Sequence, residues 1–466
     1  MSESIAEMIL PSTYIEVRAE GLIGVGSIAT GNIGIVGTAA KGPVGEVLAL
    51  GGYSDALDSY GAYDALASPR LAGNPLSLVR TLEQAYAGGA RSVFAVRIAN
   101  GTPLAAKADI KTTGNAAGFT ITARQAGSWG NGVSYTLSQS AVGQPWVLTL
   151  VIGGVKEEFS GATTAALATA LAASALVTVG AVQNGAADPV AVPTSTALAG
   201  GTDGANVSAA DLAAGLALLA DQPVNIVLVA GFGADQAKGA VAAHLEATEN
   251  EGRERIAVLG AKSAVLADVE ADAAAIADDR IVLVAPGMTA TDAADGKSVT
   301  LPPSYLAAVV AGKIATLAPH VSLTNKTLPI DGLAGAYNTT NYKKLMLQRV
   351  LLVRQKFGFQ VVKGISTDTA AFTQISVRRI VDYAKAGVRL GSDPYIGRLN
   401  NARIRAALKA TLDGFLSQMV VDEMLVAYQL DVFASRTQEI RGICSVTMTL
   451  MPTFSIDYIR VTMNLQ

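Results

Sequence analysis

The sequence predicts a multidomain protein of mixed α/β and α+β class. An α/β core is interrupted by an inserted β-rich domain and followed by a C-terminal α+β domain, with extended terminal arms. Three observations lead there. Apolar strand runs alternate with helical segments in two blocks, 21–102 and 201–340, the order expected of a mostly parallel sheet. Between them, over 103–200, the texture changes to short alternating strands parted by Gly and Asn turns. The stretch 341–450 then sets amphipathic helices ahead of strands. A chain of 466 residues also exceeds the size at which one core stops growing.

Taken in order, residues 1–20 read as an arm. In "PSTYIEVRAEG", Tyr14, Ile15 and Val17 form a short strand-like patch with no local partner. "NIGIVGTAAKGPVGEVLAL" predicts two strands about a Gly-Pro turn, and "NPLSLVRTLEQAYAGGARSVFAVRIANG" a helix stopped by Gly88 and Gly89 before a strand from Ser92 to Ile98. "GFTITARQAGSWGNGVSYTLSQ" and "WVLTLVIGGVKEEFSG" alternate as strands do, and "LAGGTDGANVS" closes the insertion. "AADLAAGLALLAD", "DQAKGAVAAHLEATENEG" and Ala264 to Asp278 then predict helices between the buried strands "NIVLVAG", "RIAVLG" and "RIVLVAP".

In the last third, "NYKKLMLQRVLLVRQKFG" predicts one amphipathic helix with Met346, Val350, Val353 and Phe357 on a stripe. "FQVVKGISTD" reads as a strand and "QISVRRIVDYAKAG" as a helix. A long helix from about Asn400 carries Ile404, Leu408, Leu412, Phe415 and Met419. "VAYQLDVF", "GICSVTMTL" and "IRVTMNL" follow as strands. Residues 451–466 read as a connector and an arm strand: Pro452 has no N–H for a ladder, and Ile459, Val461, Met463 and Leu465 alternate with polar residues. The apolar phase slips by one at Tyr458–Ile459, since in "FSIDY" it falls on even positions.

Composition narrows the function. Charged residues are only 16%, hydrophobic residues 50%, and the 47 glycines allow close backbone packing. A net charge of −3 gives no basic field for nucleic acid. The charge-poor stretch 161–187 is Ala, Thr and Ser rather than Leu and Phe, and Lys313 interrupts "SYLAAVVAGKIATLAP", so no membrane insertion is expected. The opening "MSESIAEMIL" has acids where a signal peptide would be basic. The single cysteine, Cys444, reads as a small core residue on a strand, and no disulfide or cysteine metal site is available within the chain.

No catalytic constellation emerges. "GKSV" at 296–299 lacks the Gly that a phosphate loop needs five residues earlier, where Thr291 stands. "NIVLVAGFGADQAKG" is more enzyme-like, because Gly231 and Gly233 follow a buried strand and open a helix. The third glycine of a dinucleotide fingerprint is Gln236, however, and no acid caps the next strand. "GVGSIA" at 24–29 has the glycine spacing without a following helix. Asp268, Glu270, Asp272, Asp278 and Asp279 fit a solvated helix face, and His244 and His320 lack partners at ligand or triad spacing. Neither cofactor nor metal is expected.

Several segments, in this order, resemble the sheath protein of contractile phage tails, related to type VI secretion and extracellular injection sheaths. They are "LPSTYIEV", "IVGTAAKGPVGEV", "AGSWGNGVSYTL", "LPPSYLAAVVAGKIATLAPHVSLTNKTLP", "FQVVKGISTDT" and "ISVRRIVDY", which together span nearly the whole chain. Departures from the family pattern fall at Ser12-Thr13, at Lys363 and at Thr324-Asn325-Lys326. The resemblance implies a non-enzymatic subunit, made in the host bacterial cytoplasm and built into a virion tail. Its homo-oligomer is a stack of six-fold rings around a tail tube protein, joined to baseplate and tail terminator proteins. Contraction drives the tube through a bacterial envelope during genome ejection. The resemblance also implies an inner C-terminal assembly domain, an outward inserted domain, and arms that each add a strand to a neighbour's sheet. Here those arm strands would be Tyr14, Ile15 and Val17, and Ile459, Val461, Met463 and Leu465. Arg398, Arg405 and Lys409 would form a basic stripe toward the tube. Alternatives from other classes are a nucleotide-dependent α/β enzyme using Gly231 and Gly233, and a different self-assembling shell or tube protein. For the last strand, an ordinary hairpin within the subunit is the competing expectation.

Overall fold

A computed structural model describes residues 28–61, 76–291, 296–335 and 337–465. The arm patch Tyr14, Ile15 and Val17 lies outside the described residues. The chain enters the body as β1 (Ile33–Gly37), β2 (Val47–Leu50), helix α1 (Tyr53–Tyr60), α2 (Leu78–Gly88) and β3 (Val93–Arg97). It then makes a long excursion through β4 (Lys107–Thr112), β5 (Ala116–Ala123), β6 (Ser134–Gln139), β7 (Trp146–Ile152), β8 (Val155–Gly161), α3 (Thr164–Leu171), β9 (Val177–Val179) and β10 (Val192–Ala197). Back in the body come α4 (Ala209–Leu218), β11 (Ile226–Val229), α5 (Ala234–Asn250), β12 (Ile256–Gly260), α6 (Leu266–Ala274) and β13 (Ile281–Ala285). These are followed by β14 (Gly287–Thr291), β15 (Ser298–Leu301), α7 (Pro303–Thr316), β16 (Thr327–Leu328), β17 (Gly332–Ala334), α8 (Thr339–Leu347), β18 (Leu351–Gln355) and β19 (Phe359–Val361). The last part holds α9 (Ile375–Ser392), α10 (Ala402–Val421), β20 (Leu425–Phe433), the short helix α11 (Arg436–Ile440) and β21 (Ser445–Pro452).

The body is a nine-stranded sheet in the order β16-β19-β18-β13-β12-β11-β1-β3-β2. From β18 to β3 its neighbours run parallel, and antiparallel strands close both edges. Parallel strands need helical crossovers, which cover both faces, so strand residues of either parity are buried. Ile33, Ile35, Ile226 and Leu228 join Leu82, Val309 and Val310 in one core, while Val36, Val227 and Val229 join Leu212, Leu216 and Val241 in the other. This is why "NIVLVAG" and "RIVLVAP" are unbroken apolar runs rather than alternating ones.

The excursion forms two antiparallel sheets, β10-β6-β7-β8 and β4-β5-β9. They share a core of Ile110, Phe119, Leu137, Leu148, Leu150, Leu167 and Leu171. Its root is tied to the body by a buried guanidinium. Arg97, closing β3, donates to Gly42 O (2.6 Å) and Ala126 O (2.8 Å) and pairs with Asp203 (3.4 Å). The "GSWGNG" turn seals the same place: Asn131 exchanges two hydrogen bonds of 2.9 Å with the backbone of Gly201, and Lys41 lies 4.9 Å above the Trp129 ring.

Three expectations fail. The single helix over 341–358 is α8 followed by β18: the chain turns at Arg349, with φ +63°, and Leu351 and Leu352 pair with Val284 and Ala285 of β13. Val350 and Val353 are therefore sheet core, and Phe357 is a bare turn residue, 93% exposed. Cys444 is exposed and precedes β21 instead of packing in a strand. Asp272 is buried rather than solvated, because its carboxylate accepts from Lys262 N (2.7 Å) at the turn leading into α6.

Candidate assembly surface

The C-terminal unit is small. Ile380 and Ala384 of α9 meet Leu416 and Met419 of α10, with Met424 and Leu425 completing the core. Asn401 caps α10 by accepting from Ile404 N (2.9 Å), which places the helix start where the sequence suggests it. Beyond Leu425 the β20–β21 hairpin lies over α10 with alternating half-buried and exposed side chains, and Val426, Phe433 and Met451 are exposed. Among the described residues β20 and β21 pair only with each other, so each has an open edge.

Pro452 ends β21 opposite Leu425, and Thr453 N returns to Met424 O (3.1 Å). The next residues are fastened to loops of the body and to the residue before α9. Ser455 N and Oγ donate to Gln374 Oε1 (3.1 and 3.2 Å), and Gln374 Nε2 donates to Asp457 Oδ2 (3.0 Å). Asp457 also accepts from Thr324 Oγ1 (3.2 Å) and pairs with Lys363 Nζ (3.3 Å), and that ammonium lies 5.3 Å from the Tyr458 ring centroid. Two positions at which the sequence departs from the sheath pattern, Thr324 and Lys363, thus meet on one carboxylate. After Tyr458 these attachments end. Among the described residues, 459–465 make no ladder, and Ile459, Val461, Met463 and Leu465 are 73–99% exposed. The anticipated third strand has no partner among the described residues, and the phase slip at Tyr458–Ile459 falls where the chain leaves its clamp.

The basic residues on and before α10 are engaged locally. Arg405 pairs with Glu439 of α11 (2.9 Å) and Lys409 with Asp431 of β20 (3.5 Å). Arg398 donates through Nε to Pro394 O (3.0 Å) and stacks over Tyr395 at 5.5 Å. Two of the three therefore carry their own counter-charges, and the structure brings them to the hairpin rather than into an unpaired stripe.

The glycine turn before α5 is filled by protein. Gly231 has φ +75°, and a Cβ there would overlap Ser77, whose hydroxyl donates to Ala230 O (2.7 Å). A Cβ on Gly233 would lie 2.8 Å from Lys262 Cα. Both glycines serve close packing of the turn against α2 and the β12–α6 loop, leaving no cradle for a pyrophosphate. His244 is likewise structural: it is buried on α5 with Nε2 2.9 Å from Arg255 Nη1, and burial and that cation push its pKa down to about 4. Among the described residues no His, Cys, Asp and Glu group could hold a metal ion, and no helix is long and apolar enough to cross a membrane.

A parallel body with a β-rich excursion and a hairpin-bearing end unit is the fold of tail sheath structures. The sheath tail protein of Desulfitobacterium hafniense aligns over 95% of this chain and 100% of its own at 17% identity, with a TM-score of 0.68. That of Listeria innocua aligns over 93% and 98% at 16% identity and 0.62. The anti-feeding prophage helical sheath in its contracted state aligns over 98% and 99% at 12% identity and 0.59. At such identities these likenesses show the fold. In sequence, residues 367–466 match the phage tail sheath C-terminal domain family. The chain is also 27% identical over 289 residues to the tail sheath protein of Mycobacterium phage Bxz1, covering 57% of this chain and 48% of that protein, about half its length. The resemblance to contractile phage tail sheath proteins carried by the ordered motifs is thereby shown, and the relatives named are structural sheath proteins rather than enzymes.

Proposed function

We propose that the protein is the structural subunit of a contractile tail sheath. It polymerises as stacked six-fold rings around a tail tube in the host bacterial cytoplasm, becomes part of a virion tail, and contracts to drive the tube through a bacterial envelope. Baseplate and tail terminator proteins are its partners at the two ends. The observation that carries this reading is the segment 459–465, apolar at alternate positions and, among the described residues, unpaired, beside a hairpin whose outer edges pair with no other described strand. Unpaired strand edges are templates for a further strand, with main-chain hydrogen bonds giving attachment and alternate side chains giving register. Ile459, Val461, Met463 and Leu465 of one subunit would add to the sheet of another, with Tyr14, Ile15 and Val17 as the second arm, while 103–200 faces outward and 341–450 faces the tube. Arg398, with no carboxylate partner among the described ion pairs, is the basic residue best placed for a tube contact.

Negative-stain microscopy of the purified protein, alone and with a tail-tube protein, tests the assembly. Long hollow cylinders with six-fold symmetry are expected, whereas a discrete small oligomer overturns the reading. Removal of residues 459–466 tests the arm: the truncated protein should keep its unfolding transition and lose long polymers by sedimentation. A truncated protein that still forms long cylinders rules out this strand as the link.

A further inference from the structure

The hairpin between β18 and β19 ends in a side chain that the body does not use. Its turn, Lys356–Gly358, takes two successive positive φ angles, +52° at Phe357 and +98° at Gly358. Such turns favour Asn or Asp ahead of the Gly, because a bulky residue with φ above zero is strained. Here the residue is phenylalanine and it is 93% exposed, so backbone strain and bare aromatic surface fall on one position. Lys356 beside it is also exposed. A strained residue held in the open points to function rather than to folding. The tip also stands clear of the sheet. Leu352 is level with Ala285, the last residue of β13, and β18 runs on to Gln355 before turning. At roughly 3.3 Å a residue, Phe357 projects about 16 Å beyond the carboxyl end of β13.

At the opposite end of the same sheet lies an open groove of about 500 Å³. Ile226 and Ile256, which begin β11 and β12, help to line it. Pro223, Tyr383, Ala386 and Leu390 add apolar wall, and Leu390 is 45% exposed. Asp221, with its side chain 85% exposed, is the lining acid most open to solvent. Helix α9, which supplies one wall, is pinned to the body along a charged stripe. Arg378 pairs with Asp279 (2.7 Å), Asp382 with Arg280 (2.9 Å), Lys385 with Glu249 (2.8 Å), and Arg389 with Glu254. The groove is therefore preformed, which spares a bound group the cost of ordering its site.

We propose that the Phe357 tip of one subunit seats in this groove of a second copy, with Lys356 toward Asp221. A chain cannot seat its own tip. Strand register carries Ala257, beside the groove, through Ile281 and Val284 to Leu351 and on to Phe357, about 30 Å at roughly 3.3 Å a residue. A knob and a pocket at opposite ends of one body make a heterologous, head-to-tail contact. Contacts of that kind propagate into rings or helical filaments instead of closing as a two-fold dimer. The buried aromatic anchor supplies most of the affinity, and the rim charges supply orientation. The inference rests on the assembly reading and deepens it, since bodies touch directly in addition to any strand exchanged by the arms.

Phe357→Asn in the full chain separates the turn from the contact. Asn suits the positive φ, so the urea midpoint of the monomer should hold or rise. The protein concentration needed for sedimentable polymer should rise about tenfold, the loss of one anchor residue. An unchanged threshold overturns the proposal, as does a fall in the urea midpoint, which would make Phe357 a folding residue. Cross-linking tests the pairing itself, on a Cys444→Ser background because Cys444 is exposed. Chains with Phe357→Cys are mixed with chains with Leu390→Cys, assembled well above the threshold and oxidised in air. They should give a disulfide dimer that neither chain gives alone, and a chain carrying both substitutions should give a ladder of multimers. Polymer without the mixed dimer overturns the contact. So does a disulfide that forms in its place between Leu390→Cys and Leu22→Cys of one chain, which would give the groove to the segment ahead of Ile28. If the parent forms no long polymer, the assembly reading falls and this contact with it. If the parent polymerises without the mixed dimer, this contact alone falls.

Discussion

The body and the C-terminal unit bury their apolar residues by different means. In the body, β1 and β11 to β13 are buried along their whole length, because helices cover both faces of the sheet. In the C-terminal unit, β20 and β21 are covered on one face only, their edges are open, and the four apolar residues beyond the clamp are bare. A two-stranded sheet with one covered face is marginal by itself. Among the described residues the body thus covers its strands on both faces, and the end unit leaves apolar surface uncovered. What holds the two together is mostly charge and hydrogen bonds rather than a shared apolar core.

The contrast is broken most directly by truncating one apolar residue in each region. Leu228→Ala in the body, at 1% exposure, should cost about 2–5 kcal/mol by urea unfolding of the monomer. Val461→Ala should change that unfolding by less than about 0.5 kcal/mol and yet weaken sedimentable polymer. Equal stability losses at the two sites would mean that the arm packs at home, and the comparison would fail.

Acid should also separate the two regions. The His244 pKa is held down to about 4, against 6.5 unfolded, because a charged imidazole would sit buried against the Arg255 guanidinium. The neutral form is the folded form, so its contribution is fully present above pH 6.5 and is lost as pH falls through 4. The difference corresponds to about 3 kcal/mol at most. Both histidines precede the C-terminal unit, so the body should be the part that softens between those values. Hydrogen exchange at pH 7 and pH 4.5 checks this, and His244→Gln should flatten the difference. Softening of α10 and the hairpin first would reverse the assignment.

The body strands were legible because a doubly covered strand needs only an unbroken β-branched or leucine run, as in "IVLV". "LQRVLLVRQ" shows the limit of that signal. Its apolar residues satisfy helical spacing as well as strand burial, and the vacant place beside β13 decides between them. The stripe on α9 was half legible, since Arg378 with Asp382 and Lys385 with Arg389 stand four apart, but their partners on the body are 99 to 136 residues away. The clamp was not legible. Asp457 meets Gln374 and Thr324 across 83 and 133 residues, and only the phase slip beside it marked the place.

The smallest effect sharpens where the two regions divide. Asp457→Asn removes the ion pair with Lys363 and leaves a single acceptor oxygen, for either Thr324 or Gln374. A partly exposed pair of this kind is worth about 1 kcal/mol or less, so global unfolding should hardly move. The local consequence is larger, because Ser455 and Asp457 are what keep 453–458 on the body. Chymotryptic clipping after Phe454, relative to clipping after Tyr458, should rise by about fivefold in the variant, since local opening rather than global unfolding controls it. An unchanged ratio would show that the carboxylate does not fasten the arm root, and the free arm would then begin after Pro452 rather than after Tyr458.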